Sequence, residues 1–406
     1  MCGYQRLYEL FSTITDKRGR QGRDHILAEV LFATFVSVLA GCDNAEAVCA
    51  FLEVNELWFR QFIILPGGIP AHDMVLRALA LVDPDELELI IRTWVDALRV
   101  PGVLTTEGGH VAFDGKSLRG SLDKSSGLKA VHMVGAYLTD AGLTLGTIKV
   151  DDKSNEINAI PNLIRALNLK GATITIDAMG CQTEIANAII EAGANYVLQV
   201  KGNQLTLEKN IADTFTAALQ RSRVGEPKVT LDRFKDTDKG HGRIEQRSCY
   251  LSRDISQIER AKAWKGLSGV VMMARQRETL STGKISKEIA YFIISDPKAT
   301  AQDIARVIRK HWAIENTLHW TLDVTFGEDA HRIVNRRGAE NLARLRRFGH
   351  GMIKNATGYG QSMTRIRQRC GWNPNNLLTV MTGGVISRER KRRVLDPNRF
   401  KPMKIE

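Results

Sequence analysis

The chain lacks any apolar run long enough to cross a bilayer. Its longest, roughly Val30 to Gly41, is broken by Thr34 and Ser37, and a helical span needs about 20 apolar residues. No charged segment followed by an apolar stretch and a small-residue cleavage site opens the sequence, so secretion is not expected. Cysteine pairs are missing too. The six cysteines (Cys2, Cys42, Cys49, Cys181, Cys249 and Cys370) are scattered, with no two at metal-ligand spacing. That excludes a disulfide framework or zinc site from the reading and makes a reducing cytoplasm the expected compartment. What is present is a hydrophobic fraction of 43% and a charged fraction of 25%, the make-up of a folded globular protein with a sizeable core. A chain of 406 residues is too long for one ordinary domain and implies roughly two or three.

The formal charge of +12 is unevenly placed. From Arg332 to the C-terminus there are 18 Lys and Arg against four acids, a local net of +14, so the rest of the chain is close to neutral. A cationic tail on a neutral body is what attraction to a polyanion requires. The competing reading is a solubilising tail. Arginines interleaved with Phe348, Trp372 and Phe400 favour contact with a partner.

Residues 1 to about 98 carry helical periodicity, through Ile26, Val30, Leu31, Phe35 and Val38 and again through Leu87, Ile90, Ile91, Trp94 and Leu98. Pro101, Gly102, Gly108 and Gly109 then mark a boundary. Beyond it the texture changes. A short strand, His110 to Phe113, ends at Asp114. Two β-patterned runs, 130–138 and 143–150, read as a hairpin, followed by a helix over 155–169, a strand over 172–176 ending at Asp177, a helix over 182–192 and a strand over 196–200. This order is that of a ribonuclease-H-like α/β core. More strand-like text interrupts it over 225–297, as a β-rich insertion. A long helix over 301–322 carries Glu315, and the remainder reads as helical and basic. The expected division is a helical N-terminal domain (1–105), a catalytic domain (106–330) and a basic helical C-terminal region (331–406).

Phosphodiester cleavage by two hard cations needs oxygen ligands converging from separate elements. Asp114, Asp177 and Glu315 fit by position, at two strand ends and on one helix face. Taken singly, each aspartate is as readily a turn or helix cap. In such a sheet, however, the first and fourth strands can lie side by side, which brings the two carboxylates within reach of one site. On the last helix His311, Glu315 and His319 stand at i, i+4 and i+8 and share a face, with Trp312 and Leu318 turned to the core. That stripe reads as a metal site, a structural ion-pair stripe or a catalytic carboxylate with imidazoles near phosphate.

The segments DGKSLRGS (114–121), TIDAMGCQ (175–182), YVLQVKGNQ (196–204), HGRIE (241–245) and HWAIENTLHWTLDVTFGED (311–329), with AHDMVLRAL (71–79) in the helical front, resemble those of the H-repeat-associated transposases. These belong to the IS-As-one type of insertion sequences, in the wider clan of IS-four-like DDE transposases. The resemblance implies a ribonuclease-H-like catalytic domain with Asp114, Asp177 and Glu315 as a DDE triad binding Mg²⁺ or Mn²⁺. The implied substrates are the element's terminal inverted repeats and target DNA. Where many IS-four-like enzymes carry Tyr and Arg before the catalytic Glu and Lys after it, this chain has Ile308, His311 and Leu322, which makes His311 or His319 the expected basic ligand to phosphate. Further DNA contacts are expected from Lys116, Arg119, Lys201, Asn203 and Gln204, and from Arg388, Arg390, Lys391, Arg392 and Arg393 in the tail. The expected mechanism is attack by water and then by the freed 3′-hydroxyl on phosphorus, by a homo-oligomer holding two DNA ends and no membrane. The rival readings are a catalytically silent DNA-binding descendant and a simple ribonuclease-H-like nuclease.

Overall fold

The computed structural model describes residues 3–19, 23–98, 106–123, 125–151, 154–223, 231–240, 242–357 and 361–386. Six helices come first: α1 (Gly3–Ser12), α2 (Leu27–Leu39), α3 (Ala45–Val54), α4 (Glu56–Phe59), α5 (His72–Leu81) and α6 (Pro84–Leu98). The α/β part follows as β1 (His110–Leu118), β2 (Val131–Leu138), β3 (Leu143–Lys149), α7 (Glu156–Ala166), β4 (Thr173–Ile176), α8 (Thr183–Glu191), β5 (Asn195–Val200) and α9 (Leu205–Arg223). Then come β6 (Asp232–Gly240), β7 (Arg243–Ser252), β8 (Gly269–Thr279), β9 (Lys284–Ile294), α10 (Ala301–His311), α11 (Trp320–Val324), α12 (Arg336–Ala356), α13 (Met363–Trp372) and α14 (Asn375–Met381). Among the described residues no helix is long and apolar enough to cross a membrane.

All the strands join one mixed sheet in the order β3-β2-β1-β4-β5-β9-β8-β7-β6. β1 pairs antiparallel with β2 and parallel with β4, β4 runs parallel to β5, and β9 closes antiparallel onto β5. The text over 225–297 therefore does not interrupt the sheet. It prolongs it, and the additional strand β6, too polar to be read from sequence, forms the far edge. Side chains alternate between the two faces as strand geometry requires. Val197, Val271, Met273, Phe292 and Ile294 pack with Ile304 and Ile308 of α10, whereas Tyr196, Leu198, Val270 and Ile293 face the main core with Ile185 and Ile189 of α8.

The first strand is longer than its sequence indicates. β1 continues to Leu118 because it keeps pairing with β2 as far as Leu118↔Val131. Only its ladder with β4 stops early, at Phe113↔Ile176. Asp114 thus lies within a strand, not at its end.

α2 is mostly apolar and almost wholly buried, as a central helix should be. α12, from the far end of the chain, packs against α2, α5, α6 and β3, with Phe348 stacked on Phe35 at 4.8 Å between ring centroids. This corrects the picture of a uniformly phosphate-facing basic region. Arg344, Arg346, Arg347 and Arg367 are buried. Arg344 bonds Glu88 and Glu340 at 2.9 and 2.6 Å, Arg347 bonds Glu328 at 2.7 Å, and Arg367 bonds Asp43 at 2.8 Å. Their charge is spent inside the fold. The run Arg388, Arg390, Lys391, Arg392 and Arg393 lies outside the described residues.

Candidate active site

Phe113 and Ile176 are registered across the parallel β1–β4 ladder, so the next residue on each strand is an aspartate: Asp114 on one, Asp177 on the other. Each carboxylate is steadied by backbone. Asp114 Oδ1 accepts the Gly115 N–H at 2.9 Å, and Asp177 Oδ1 accepts those of Met179 and Gly180 at 3.1 and 3.3 Å. The third carboxylate arrives from an unexpected element. The helix expected over 301–322 is broken: α10 is capped by a reciprocal Thr300–Asp303 box and ends at His311, and a π-helical turn runs over Ile314–His319 before α11. Glu315 sits on that turn. Single π turns often mark functional positions, because the extra residue re-aims the side chains that follow.

Of the expected stripe, Glu315 and His319 both act on Asp114, and His311 meets Thr175. His311 points inward, where its Nδ1 meets Thr175 Oγ1 at 2.8 Å, and Thr175 Oγ1 meets His110 Nε2 at 2.8 Å. Burial lowers His311 to about 4, which favours the neutral imidazole in this link. His319 lies elsewhere, with Nδ1 3.5 Å from Asp114 Oδ2. Burial, then Arg347 and Lys116, push its pKa down to about 3. The contact with Asp114 is consequently polar rather than ionic at neutral pH. Trp312, expected in the core, is 45% exposed.

The electrostatics of the carboxylates follow from burial first and from crowding second. Burial lifts the Asp114 carboxyl to about 7 against the Gly115 hydrogen bond, and the charges of Glu315, Glu156 and Asp177 add to the rise. Asp177 is also raised, first by burial and then by Glu156, while its backbone bonds and Lys201 oppose the shift. Lys116, next to Asp114 but one, does not neutralise them. It is 10% exposed and committed to Asp323 at 2.7 Å and Asp329 at 3.7 Å. Asp329 also pairs with Arg119, and the neighbouring Glu328 with Arg347.

The remaining candidates separate by exposure. Arg119 is 83% exposed, touching Asp329 only at 3.5 Å, and Lys201 is exposed at the end of β5. Both are open to a phosphate backbone. Asn203 and Gln204 instead donate to the carbonyls of Ala178 and Cys181 at 2.7 and 3.0 Å, tying the turn after β5 to the loop that follows Asp177.

Two features escaped the sequence reading. Glu156, the first residue of α7, stands over Gly115, and its Oε1 accepts from His132 Nε2 at 2.6 Å. A cavity of about 570 Å³ lies between the β7–β8 strands and α10, lined by Arg247, Arg275, Arg277, Arg309, Trp312 and Asn316. A second, of about 80 Å³, flanks Trp312 and reaches Thr175 and Lys201. Three of those arginines share the one carboxylate of Glu245.

Among the described residues no three His, Cys, Asp or Glu side chains are already gathered tightly enough to cage a metal ion. The donor set nevertheless suits a hard divalent cation. It is all carboxylate oxygen, with Asp114 and Asp177 part-buried and raised in pKa and Glu315 exposed.

A family model described as Transposase DDE domain matches residues 105–348, and one described as DDE_Tnp_1-associated matches residues 8–95. "H repeat-associated putative transposase YhhI" of Escherichia coli (strain K12) is 32% identical over 386 residues, covering 94% of this chain and 99% of the relative. "Putative transposase YncI" of Escherichia coli O157:H7 is 32% identical over 370 residues, covering 91% and 92% respectively. The backbone overlays loosely on the piggyBac transposase of a synaptic complex with hairpin DNA, at 11% identity and a TM-score of 0.39, covering 94% of this chain and 79% of that one. An overlay at that level carries no argument here.

Proposed function

Because the chain belongs to the DDE transposase family, we propose that it cleaves DNA at the ends of its own element and joins them to a target, with Asp114, Asp177 and Glu315 as the catalytic carboxylates. The observation that carries this reading is the register that puts Asp114 and Asp177 side by side just past the β1–β4 ladder, together with the charge that Glu315 exerts on Asp114. The strand order from β3 to β5, with α7 and α8 in the crossovers, we read as a ribonuclease-H-like core.

Asp114, Asp177 and Glu315 would hold Mg²⁺ or Mn²⁺. When bound, such cations activate the attacking oxygen and neutralise charge on the phosphate and the leaving oxygen. The chain's own contribution is placement. The β1 and β4 backbones fix two carboxylates, the N–H groups of Met179 and Gly180 orient Asp177, and the exposed Glu315 approaches from the π turn. His319, held near neutral by burial, lies beside Asp114 without adding a positive charge of its own. Water attacks phosphorus first and the freed 3′-hydroxyl attacks second, with no covalent enzyme intermediate. Joining two ends calls for a homo-oligomer on DNA, in a cytoplasmic setting. Incubated with duplexes bearing the element ends, the protein is expected to release 3′-hydroxyl termini in Mg²⁺ and none in EDTA. Equal nicking of random duplexes and no joining would favour a simple nuclease.

DNA next to the cut would lie across Arg119 and Lys201 and into the arginine-lined cavity, with the basic tail adding affinity for any sequence. Trp312 offers an exposed ring there, and stacking of a base on an aromatic side chain contributes about 1–3 kcal/mol. Trp312→Ala should thus weaken binding to ends with an unpaired flanking strand by roughly five- to a hundredfold and spare fully paired random duplex. Fluorescence anisotropy on the two DNAs separates these outcomes. Equal affinity of parent and variant for both would remove Trp312 from the DNA path.

A further inference from the structure

The geometry points to Glu156 as a fourth carboxylate of the cation site, held in place by His132 and Ser117. This rests on the reading of Asp114 and Asp177 as cation ligands. Glu156 opens α7, whose N-cap is Asn155, and α7 packs against the turn that follows Asp177. Its carboxylate also lies over β1 at Gly115, the residue after Asp114: a Cβ added at Gly115 would fall 2.1 Å from Glu156 Oε1 and 2.7 Å from His132 Nε2. The absence of a side chain at position 115 is what admits Glu156 to the site. The side chain is mostly buried, and no lysine or arginine is paired with it among the described residues.

The support behind Glu156 is built for orientation. A carboxylate only accepts, so His132 Nε2 donates to Oε1 at 2.6 Å, and His132 Nδ1 is in turn held by Ser117 Oγ at 2.8 Å. Both Ser117 and His132 lie on the paired strands β1 and β2, directly across the ladder from each other. A histidine that fixes a carboxylate from rigid strands is a familiar way of aiming a ligand. One carboxylate oxygen, Oε2, is left without a hydrogen-bond partner among the described groups, and the charge of Glu156 raises both Asp114 and Asp177. An acid that merely favoured the start of α7 through the helix dipole would need neither the histidine nor the gap at Gly115.

The test is Mn²⁺ binding by the full-length, metal-free protein, followed by electron paramagnetic resonance and calorimetry, without DNA. Glu156→Gln keeps the size and the acceptor for His132 but removes the charge. It is expected to weaken Mn²⁺ binding by about tenfold or more while leaving circular dichroism unchanged and the metal-free thermal midpoint no lower. His132→Gln should give a smaller loss, and serves as the second reading if Glu156→Gln folds poorly. Parent affinity in both variants, with Asp114→Asn weakened, would overturn the role of Glu156 and leave the aspartates as ligands. No Mn²⁺ binding by the parent, or parent affinity in Asp114→Asn, would overturn the underlying site and this inference with it.

Discussion

Asp114→Asn is expected to abolish cleavage of element ends while leaving DNA binding intact or slightly tighter. The change keeps the shape of the side chain and the bond from Gly115 N–H, but removes one charge from the carboxylates at the β1–β4 register. If Asp114 holds a cation that stabilises the transition state, its loss costs several kcal/mol, on the order of a thousandfold in rate. Binding improves because phosphate no longer meets that negative charge. The same variant has an opposite signature in stability. Asp114 is raised from its ordinary 3.8 to about 7 in the folded, metal-free protein. The fold therefore prefers the protonated acid, and stability is lost as pH rises from about 4 to about 7. Asparagine carries no such penalty. Metal-free Asp114→Asn should thus match the parent near pH 3 and exceed it at pH 8, by on the order of a few kcal/mol, measured by denaturant unfolding at each pH. A variant that cleaves ends at the parent rate would dismiss Asp114 from the chemistry.

Arg344→Leu should be among the most damaging single changes to the fold. Arg344 is 2% exposed and lies between Glu88 of α6 and Glu340 of α12, at 2.9 and 2.6 Å. Glu88 also accepts from the backbone and hydroxyl of Thr147 on β3, both at 2.7 Å. One guanidinium thus links the N-terminal helices, the sheet and the late helix. Its removal strands two buried carboxylates, and breaking a buried pair from one side costs about 3–5 kcal/mol. Urea unfolding at neutral pH is expected to show a loss of that order. A double change, Glu88→Gln with Arg344→Leu, should recover part of it, since one unpaired charge is then gone. A loss below about 1 kcal/mol in the single variant would mean that solvent reaches the pair and screens it.

The sequence carried the strand order well, because apolar alternation and the Thr139–Gly142 turn leave little choice for β1 to β5. It missed β6, whose RFKDTDKG text has no buried face to write a pattern: both sides of the strand lie at or near solvent. The π turn was invisible for a different reason. IENTLH contains ordinary helix formers, and nothing in its composition announces an extra residue per turn, although Ile314 and Leu318 within it are buried. His311 and Trp312 lie just before it: His311 bonds Thr175 and Trp312 is 45% exposed, the reverse of what spacing alone suggests. Counting charge from Arg332 onwards overstated what is available to a polyanion, since burial of Arg344, Arg346, Arg347 and Arg367 leaves no trace in composition. Glu156 stands in the first turn of α7 with nothing in the sequence to single it out. Only the gap over Gly115 reveals what it faces.

The account stands most directly on where a divalent cation goes. Crystals of the protein with element-end DNA and Mn²⁺, diffracted near the manganese edge, locate the ions by anomalous scattering. The expected result is manganese held by carboxylate oxygens of Asp114, Asp177 and Glu315, at about 2.0–2.3 Å, against the phosphate at the element end. Manganese bound elsewhere on the chain, with Glu315 turned away from both aspartates, would contradict it.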